Sequence, residues 1–355
     1  MESLGLIEID LAALERNYAL LSAAASPGAC GAVVKADAYG LGVKPIARRL
    51  HMAGCRHFFV ATPAEGVTLR PIVADAAIFV LAGLAGSSPE EFIAAGLTPV
   101  LNTRAELRRW GSSGPAAVHI DTGMSRLGLA AADIDALRLE ADRRAALDVR
   151  YVLTHLACAD EPDHPLNQQQ LAAFDVARQL WPTAKTSVGN SAGLLLGEGL
   201  KSDLARAGIA LYGANPFRRT PNPVAPVVTV KGRIVQLRDI AAGASVGYGA
   251  SFVADSGMRL AVVGVGYADG YLRSLSNCGI AEVAGQRVPV VGRVSMDLVC
   301  LDVTAIKRDA VAEGDWATLI GGSVTLEEVA ALAGTINYEV LTALGDRLER
   351  RYIGD

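Results

Sequence analysis

Short apolar segments of β type alternate eight times with helix-like segments in the first 215 residues, and this alternation most restricts the possible folds. Strands that are apolar throughout are typical of parallel sheets with helices on both faces. Eight such strands predict an α/β fold of the (β/α)8 TIM-type barrel class, with a doubly wound open sheet as the alternative. The predicted strands are residues 32–36, 57–62, 77–83, 97–102, 116–123, 149–157, 185–191 and 204–213.

The segment 216–226 ends the alternation, because four of its eleven residues are proline. Proline interrupts both helices and central strands, so this segment is predicted to be a linker. After it, β-type runs are separated by glycine-rich turns, as in a compact β domain. We therefore expect a barrel over residues 10–215, a linker over 216–226 and a mainly β C-terminal domain over 227–355.

The charge and the cysteine content of the chain restrict which partners and which cellular compartment we expect. The net charge is -4 and no basic block occurs, so nucleic acid is not an expected partner. The five cysteines are scattered without a CxxC pair, which favours a reducing compartment and argues against a disulfide framework or a zinc site. Neither a signal peptide nor an apolar run of membrane-spanning length is visible. We expect a cytoplasmic protein without a membrane partner and without a metal.

Capping residues predict where three helices begin. Asp10 precedes the helical pattern LAALERNYALLSAAA, and Ser88 is followed by proline and then by glutamate at the third helical position. Thr325 and Glu328 have the spacing of a capping box.

Polar residues cluster at the ends of the predicted strands, where the active sites of such barrels lie. Each also has an ordinary explanation. A lysine at a strand end is usually solvated, His155 could be a core histidine, Asn190 could cap a helix, and Arg206 could form a salt bridge. Their convergence on one face of the barrel favours a functional site. They are Lys35, Tyr39, residues 121–126, His155, Asn190, Ser191, Arg206 and Gly208.

The chemistry of these groups points to one kind of cofactor. A desolvated lysine such as Lys35 loses its proton readily and becomes a nucleophile suited to Schiff-base formation with an aldehyde. The last two strands commonly supply a phosphate site, where Ser191 offers a hydroxyl and Gly208 and Ile209 offer backbone N–H groups. A lysine facing a phosphate site is suited to pyridoxal 5'-phosphate.

Nine motifs occur in the order found in alanine racemases, and the chain resembles that family over nearly its whole length. They are VVKADAYGLG, DTGMSRLG, THLA, NSA, RAGIALYG, VGYGASF, GYADGYLR, GRVSMD and NYE. The resemblance implies a pyridoxal-phosphate isomerase that interconverts L- and D-alanine, a cell-wall precursor. It also implies a head-to-tail homodimer in which the N-terminal strand, residues 1–9, joins the C-terminal domain.

The resemblance further implies roles for individual residues. Lys35 is similar to the Schiff-base lysine, which is also the base on one face of the substrate. Tyr248 is similar to the base on the other face, contributed by the other subunit. The remaining cofactor-binding residues are Tyr39, Ser191, Gly208, Ile209 and Tyr338 near the phosphate, His155 and Arg206 at the cofactor ring, and Asn190. The substrate-binding residues are Arg126, Met296 and Tyr267, and the supporting residues are His119, Arg273 and Asp297.

The implied two-base mechanism has a physical basis. Racemisation removes a proton from one face of Cα and returns it on the other, so two bases must flank one plane. Nearby cations would lower the pKa values of a lysine and a tyrosine. Because arginine keeps its proton, Arg206 opposite the pyridine nitrogen would leave that nitrogen unprotonated and suppress transamination.

The chain departs from the family pattern at His119, where many members carry a lysine. This departure leaves the positioning of the substrate carboxylate and the choice of substrate open. A serine or broad-specificity racemase is therefore an alternative, since one hydroxyl separates serine from alanine. Amino-acid decarboxylation is disfavoured by Tyr248. A non-catalytic pyridoxal-phosphate carrier is the alternative from another class.

Overall fold

The computed structural model describes residues 3–197, 202–217 and 221–354. The described helices are α1 (Leu11–Ala25), α2 (Lys35–Gly40), α3 (Val43–Met52), α4 (Pro63–Leu69), α5 (Pro89–Ala94), α6 (Arg104–Trp110), α7 (Ala131–Arg138), α8 (Ala141–Ala145), α9 (Pro165–Ala177), α10 (Ser191–Leu195), α11 (Leu326–Leu332) and α12 (Asn337–Thr342).

The described strands are β1 (Gly5–Asp10), β2 (Ala29–Val33), β3 (His57–Val60), β4 (Ala77–Val80), β5 (Thr98–Leu101), β6 (Pro115–His119), β7 (Asp148–Leu153), β8 (Lys185–Ser187), β9 (Leu204–Ala207), β10 (Val228–Ile240), β11 (Ser245–Val246), β12 (Phe252–Val253), β13 (Met258–Val263), β14 (Ile280–Val283), β15 (Gln286–Pro289), β16 (Val299–Asp302), β17 (Trp316–Ile320) and β18 (Glu349–Ile353).

Eight described strands form the predicted parallel barrel. Their order is β8-β7-β6-β5-β4-β3-β2-β9, so each strand from β2 to β8 lies beside its neighbour in the chain. Hydrogen bonds connect the two ends of this sheet: Arg206 N–H donates to the Gly189 carbonyl (2.8 Å) and Ser187 Oγ donates to the Leu204 carbonyl (2.6 Å). The near-closed barrel confirms the predicted fold class, and the doubly wound alternative is wrong.

The capping residues begin their helices where predicted. The Ala13 N–H donates to Asp10 Oδ1 (2.8 Å), and the Glu328 N–H donates to Thr325 Oγ1 (3.2 Å). Ser88 and Glu91 form a reciprocal capping box with proline at the first helical position. Such caps satisfy N–H groups that the helix itself leaves without partners.

Several predicted strands extend too far at their carboxyl ends. β7 ends at Leu153 rather than at residue 157, and β8 ends at Ser187 rather than at residue 191. β9 ends at Ala207, and a 3-10 helix, Ile209–Tyr212, follows it. The apolar run continues past each strand because the loops at this end of the barrel are themselves buried.

The chain divides into two compact units. The barrel unit contains residues 14–38 and 42–225, and the β unit contains residues up to Ala13, residues 39–41 and residues from Pro226 onward. Of the predicted linker, residues 216–217 and 221–226 form no helix or strand, and residues 218–220 lie outside the described residues.

The β unit is built on the 13-residue strand β10, which pairs antiparallel with β1, β13 and β17. β1 also pairs in parallel with β18, so the N-terminal strand belongs to the sheet of this unit. Val246, Leu260 and Val291 form one of its buried clusters. Among the described residues, no helix combines the length and apolarity needed to cross a membrane.

Candidate active site

Lys35 begins a turn whose backbone is left-handed. The φ angles of residues 36–39 lie between 52° and 59°, although none of the four is glycine. Left-handed helical backbone costs an L-residue about 1–2 kcal/mol, so a run of four must be held by its surroundings. Within the turn, the Ala38 N–H donates to the Val34 carbonyl (2.9 Å), and the Val43 N–H donates to Asp37 Oδ1 (2.7 Å).

The amine of Lys35 is partly buried at the carboxyl end of β2. Burial lowers its pKa, and the nearby positive charge of Arg126 lowers it further, whereas Glu65 acts in the opposite direction. A lysine in such surroundings reaches its neutral, nucleophilic form at a lower pH than a solvated lysine does.

Arg126 lies at the end of a loop that Asp121 holds in shape. Asp121 Oδ1 accepts hydrogen bonds from the N–H groups of residues 123–125 at 3.0, 3.0 and 3.1 Å. The guanidinium is exposed, and it is close enough to Lys35 and His119 to lower the pKa of both. The barrel therefore brings the predicted substrate-binding arginine near the predicted Schiff-base lysine.

Arg206 is the most deeply buried cation of this region, with 4% of its surface exposed. Its guanidinium donates to the carbonyl (2.8 Å) and hydroxyl (2.7 Å) of Ser187 and to the carbonyls of Thr154 (2.6 Å) and Val188 (3.3 Å). Among the described residues none of its partners is a carboxylate, so within them Arg206 forms no salt bridge. Burial lowers the pKa of Arg206 to about 10, which leaves it charged at neutral pH.

His155 lies 3.2 Å from this guanidinium through its Nδ1 atom. Burial lowers its pKa well below the ordinary value, and Arg206 lowers it further. The imidazole is therefore neutral, and because the guanidinium can only donate, Nδ1 accepts and the ring proton lies on Nε2. Gln170 fixes the backbone here by donating to the His155 carbonyl (3.0 Å).

His119 ends β6 and is also a neutral imidazole, because burial and then Arg206 lower its pKa to about 4. The amide of Asn102 donates to the carbonyls of Leu81 (3.1 Å) and Val100 (2.8 Å), so its oxygen faces His119 Nδ1 at 2.9 Å. That oxygen can only accept, so Nδ1 carries the proton and Nε2 is left as an acceptor.

Ser191 and its neighbours form the region predicted to bind phosphate. Asn190 caps α10, since its side chain accepts from the Gly193 N–H (2.9 Å), which is the ordinary role considered for it. Ser191 Oγ accepts from the N–H groups of Gly208 (2.9 Å) and Ala210 (3.3 Å). The Gly208 N–H is thus engaged by Ser191, and the hydroxyl proton of Ser191 is the donor that this arrangement presents.

In the β unit, Tyr39 and Tyr338 lie together, with ring centroids 6.0 Å apart. Tyr39 is buried, which raises the pKa of its phenol, and Tyr338 adds to the effect. The phenol of Tyr39 therefore stays protonated near neutral pH and can donate a hydrogen bond.

The other predicted residues of the β unit lie on exposed turns. Tyr248 begins the 3-10 turn Tyr248–Ala250 and is 71% exposed. The turns that carry Tyr267 and Met296 are joined through backbone: the Tyr267 N–H donates to the Ser295 carbonyl (3.0 Å), and the Ala268 N–H donates to the Met296 carbonyl (3.0 Å). A Cβ atom at Gly266 would lie 2.4 Å from the Met296 carbonyl oxygen, so only glycine permits this approach.

Arg273 and Asp297 are exposed as well. Arg273 begins the short 3-10 turn Arg273–Leu275, and Asp297 accepts from Arg347 (2.8 Å). Arg347 also contacts the buried carboxylate of Asp269 (3.0 Å), which holds the Asp297 loop against the turn after Gly266.

Two family models match the chain, one for each part. The N-terminal domain of alanine racemase matches residues 9–216, and the C-terminal domain of alanine racemase matches residues 227–352. This chain belongs to the alanine racemase family.

Relatives in the alanine racemase family match the chain over almost its full length. A protein named alanine racemase from Rhodospirillum rubrum is 45% identical over 98% of this chain and 96% of its own. A catabolic alanine racemase from Mesorhizobium japonicum is 44% identical over 98% and 93%. The crystal structure of alanine racemase from Bartonella henselae with covalently bound pyridoxal phosphate has a TM-score of 0.95, with 38% identity, 99% of this chain covered and 100% of that chain.

Sequence reasoning missed the residues that hold the predicted ones in this alanine racemase family member. Ser187 and Thr154 bind Arg206, Asn102 binds His119, and Glu65 binds the turn after Lys35. Ser187 and Asn102 contribute polar side chains buried at the carboxyl ends of strands, and that combination is a usable signal, whereas Thr154 acts through its backbone carbonyl. Within the described residues, no group of three or more His, Cys, Asp or Glu side chains could hold a metal ion.

Proposed function

We propose that this member of the alanine racemase family interconverts L- and D-alanine with pyridoxal 5'-phosphate as its cofactor. The observation that carries the proposal is the partly buried amine of Lys35, with its lowered pKa, beside the cation Arg126 at the carboxyl end of the barrel. Buried Arg206 adds a second positive charge at the same end. Such a site attracts the phosphate and carboxylate groups of the cofactor and substrate.

The residues present fit the cofactor. Ser191 presents a hydroxyl proton beside Gly208, which has no side chain to block a phosphate, and Ile209 follows. Arg206 and the neutral His155 would lie at the ring, and Tyr39 and Tyr338 are proposed as further phosphate contacts. When bound, pyridoxal phosphate withdraws electrons from the substrate Cα and so makes its proton acidic.

We assign the proton transfers to two bases. Lys35 takes or returns the Cα proton on one face, and the lowering of its pKa by burial and by Arg126 favours this role. Tyr248 of the partner subunit acts on the opposite face. The exposure of Tyr248 supports this assignment, because an exposed phenol can act on a buried Cα only if another chain covers it.

The substrate carboxylate is assigned to the guanidinium of Arg126 and the backbone N–H of Met296, with Tyr267 beside them. The Nε2 lone pair of His119 serves as the acceptor on the barrel side where many family members carry lysine. Arg273 and Asp297 support this region. Residues 10–215 are proposed as the cofactor-binding barrel and residues 227–355 as the β domain of a head-to-tail homodimer.

The function is tested first by assay. A purified preparation should be yellow, and borohydride should fix the cofactor to the Lys35 peptide, as found by mass spectrometry. Circular dichroism should then show L-alanine losing its optical activity faster than L-serine does. Faster turnover of serine would favour a serine racemase, and bound cofactor without turnover of either amino acid would favour a carrier.

The origin of the second base is tested by mixing two inactive variants, Lys35→Ala and Tyr248→Phe. If Tyr248 comes from the partner, a mixed dimer has one site with both bases and one with neither. Equal amounts that reassociate at random then regain about a quarter of the unmodified activity. If both bases come from the same chain, every site lacks one base and no activity returns.

A further inference from the structure

Three described helices of the barrel carry glutamate at the third helical position. They are α4, α5 and α6, with Glu65, Glu91 and Glu106. In α4 and α5 the local sequence is nearly the same, Thr-Pro-Ala-Glu and Ser-Pro-Glu-Glu, and both form a complete capping box. Glu65 and Glu91 therefore have the same local task, which is to satisfy the first N–H groups of their helices.

Glu65 accepts two hydrogen bonds that have no counterpart at Glu91, from the N–H groups of Ala61 and Ala36. Its Oε2 accepts from the Ala61 N–H (2.6 Å) and the Thr62 N–H (3.3 Å), which belong to its own strand end and helix cap. Its Oε1 accepts from the N–H of Ala36 (2.9 Å), the residue directly after Lys35. This side chain thus connects the end of β3 to the first left-handed residue of the Lys35 turn.

We propose that Glu65 is a positioning residue that holds the left-handed turn carrying Lys35 and so fixes the place and the electrostatic surroundings of its amine. The inference rests on the role proposed above for Lys35. Glu65 acts through the backbone of Ala36 and needs no contact with substrate.

A carboxylate is required because both oxygens accept hydrogen bonds. Glutamine has one acceptor oxygen, so at position 65 it must lose either the Ala36 bond or the bonds to the Ala61 and Thr62 N–H groups. At position 91 only one carboxylate oxygen, Oε2, accepts a hydrogen bond, from the Ser88 N–H (2.7 Å). Glutamine can keep that bond through its single acceptor oxygen. The same substitution therefore has different consequences at two matched sites.

The charge of Glu65 has a second effect on the amine. Arg126 and burial lower the pKa of Lys35, and Glu65 opposes them. His155 is neutral and adds no charge on that side. Removing the carboxylate leaves Arg126 unopposed, so Lys35 should lose its proton at a lower pH.

The test compares Glu65→Gln with Glu91→Gln in the full chain. Trace acetylation with acetic anhydride across a pH series, read on the Lys35 peptide by mass spectrometry after the cofactor is removed, gives the midpoint of its titration. We expect Glu65→Gln to move this midpoint to lower pH and to lower kcat about tenfold or more. Glu91→Gln should leave both unchanged.

Two further variants separate charge from bridging. Glu65→Asp keeps the charge but is too short to reach Ala36, so kcat should fall while the midpoint moves less than in Glu65→Gln. It also decides the question if Glu65→Gln does not fold. Glu106→Gln removes a comparable bridge, between the N–H groups of Leu84 (2.8 Å) and Asn102 (2.7 Å), and should not move the Lys35 midpoint.

A Lys35 midpoint that is unchanged in Glu65→Gln, or that moves equally in Glu91→Gln or Glu106→Gln, overturns the inference. The acetylation readout does not depend on racemase activity. Failure of the unmodified chain to racemise alanine would therefore count against the proposed function alone. The titration of Lys35 in the variants would still test whether Glu65 positions the Lys35 turn.

Discussion

Two candidate residues of the barrel unit and two of the β unit differ in how they are held. Arg206 and Ser191 are 4% and 3% exposed, and protein atoms contact them on several sides. Tyr248 and Met296 are 71% and 53% exposed on surface turns. Contacts within the barrel therefore hold Arg206 and Ser191 in place, whereas Tyr248 and Met296 would act on a buried group, as proposed, only if another surface covered them.

Replacing Tyr248 by phenylalanine should give the largest effect on activity while leaving stability unchanged. Loss of a general base should lower kcat by about 10²–10⁴. Because the phenol is exposed, the free energy of unfolding in urea should not change. Tyr271→Phe is the matched control: that hydroxyl is buried without a hydrogen-bond partner among the described residues, so its removal should spare activity. Full activity in Tyr248→Phe would remove the contrast between the two units.

Replacing Arg206 by lysine should lower both the racemase activity and the free energy of unfolding. Lysine cannot reproduce the planar set of donors that serves the carbonyls of Thr154 and Val188 and the hydroxyl of Ser187. Leaving these groups buried without donors should lower the free energy of unfolding by about 2–4 kcal/mol, measured in urea. Arg308→Lys, on the exposed ion pair with Asp239, is the control and should change little. Equal stability of the two variants would mean that the hydrogen bonds from Arg206 to Ser187, Thr154 and Val188 do not stabilise the fold.

The barrel was predictable from the sequence because most of its strands are apolar and several of its helix starts carry a capping side chain. The Lys35 turn was not. Residues 36–39 include two alanines, and nothing in such residue types indicates four successive left-handed conformations. The information lies in partners such as Glu65, which is 29 positions from Ala36. Contacts at that separation leave no periodic pattern in the sequence.

The candidate site was predictable to the extent that functional side chains follow strands. The pattern placed Lys35, Arg126, His155 and Arg206 at one end of the barrel, and their roles remain predictions. It did not indicate that Ser191 engages the Gly208 N–H, since that bond depends on how the ends of β8 and β9 meet.

The smallest expected effect is the contribution of His119 to the pH dependence of the free energy of unfolding. It tests whether this end of the barrel is more buried than the exposed turns of the β unit. In the folded chain its pKa is about 4, against 6.5 for an ordinary histidine, because it is buried and near Arg206. The folded state thus favours the neutral ring, and the unfolded state binds the extra proton first as pH falls. The stability that depends on neutral His119 is complete above pH 6.5 and is lost between pH 6.5 and 4.

His119→Gln removes this titration while keeping a side chain that can bond to Asn102. The difference in free energy of unfolding between the variant and the unmodified chain should therefore change by about 1–3 kcal/mol between pH 7 and pH 4. Urea unfolding at several pH values measures it. Tyr248 lies on an exposed turn away from His119 in the chain, and Tyr248→Phe is the control whose curve should run parallel to that of the unmodified chain. Parallel curves for both variants would mean that His119 is solvated, and the barrel end would then be as open as the turns of the β unit.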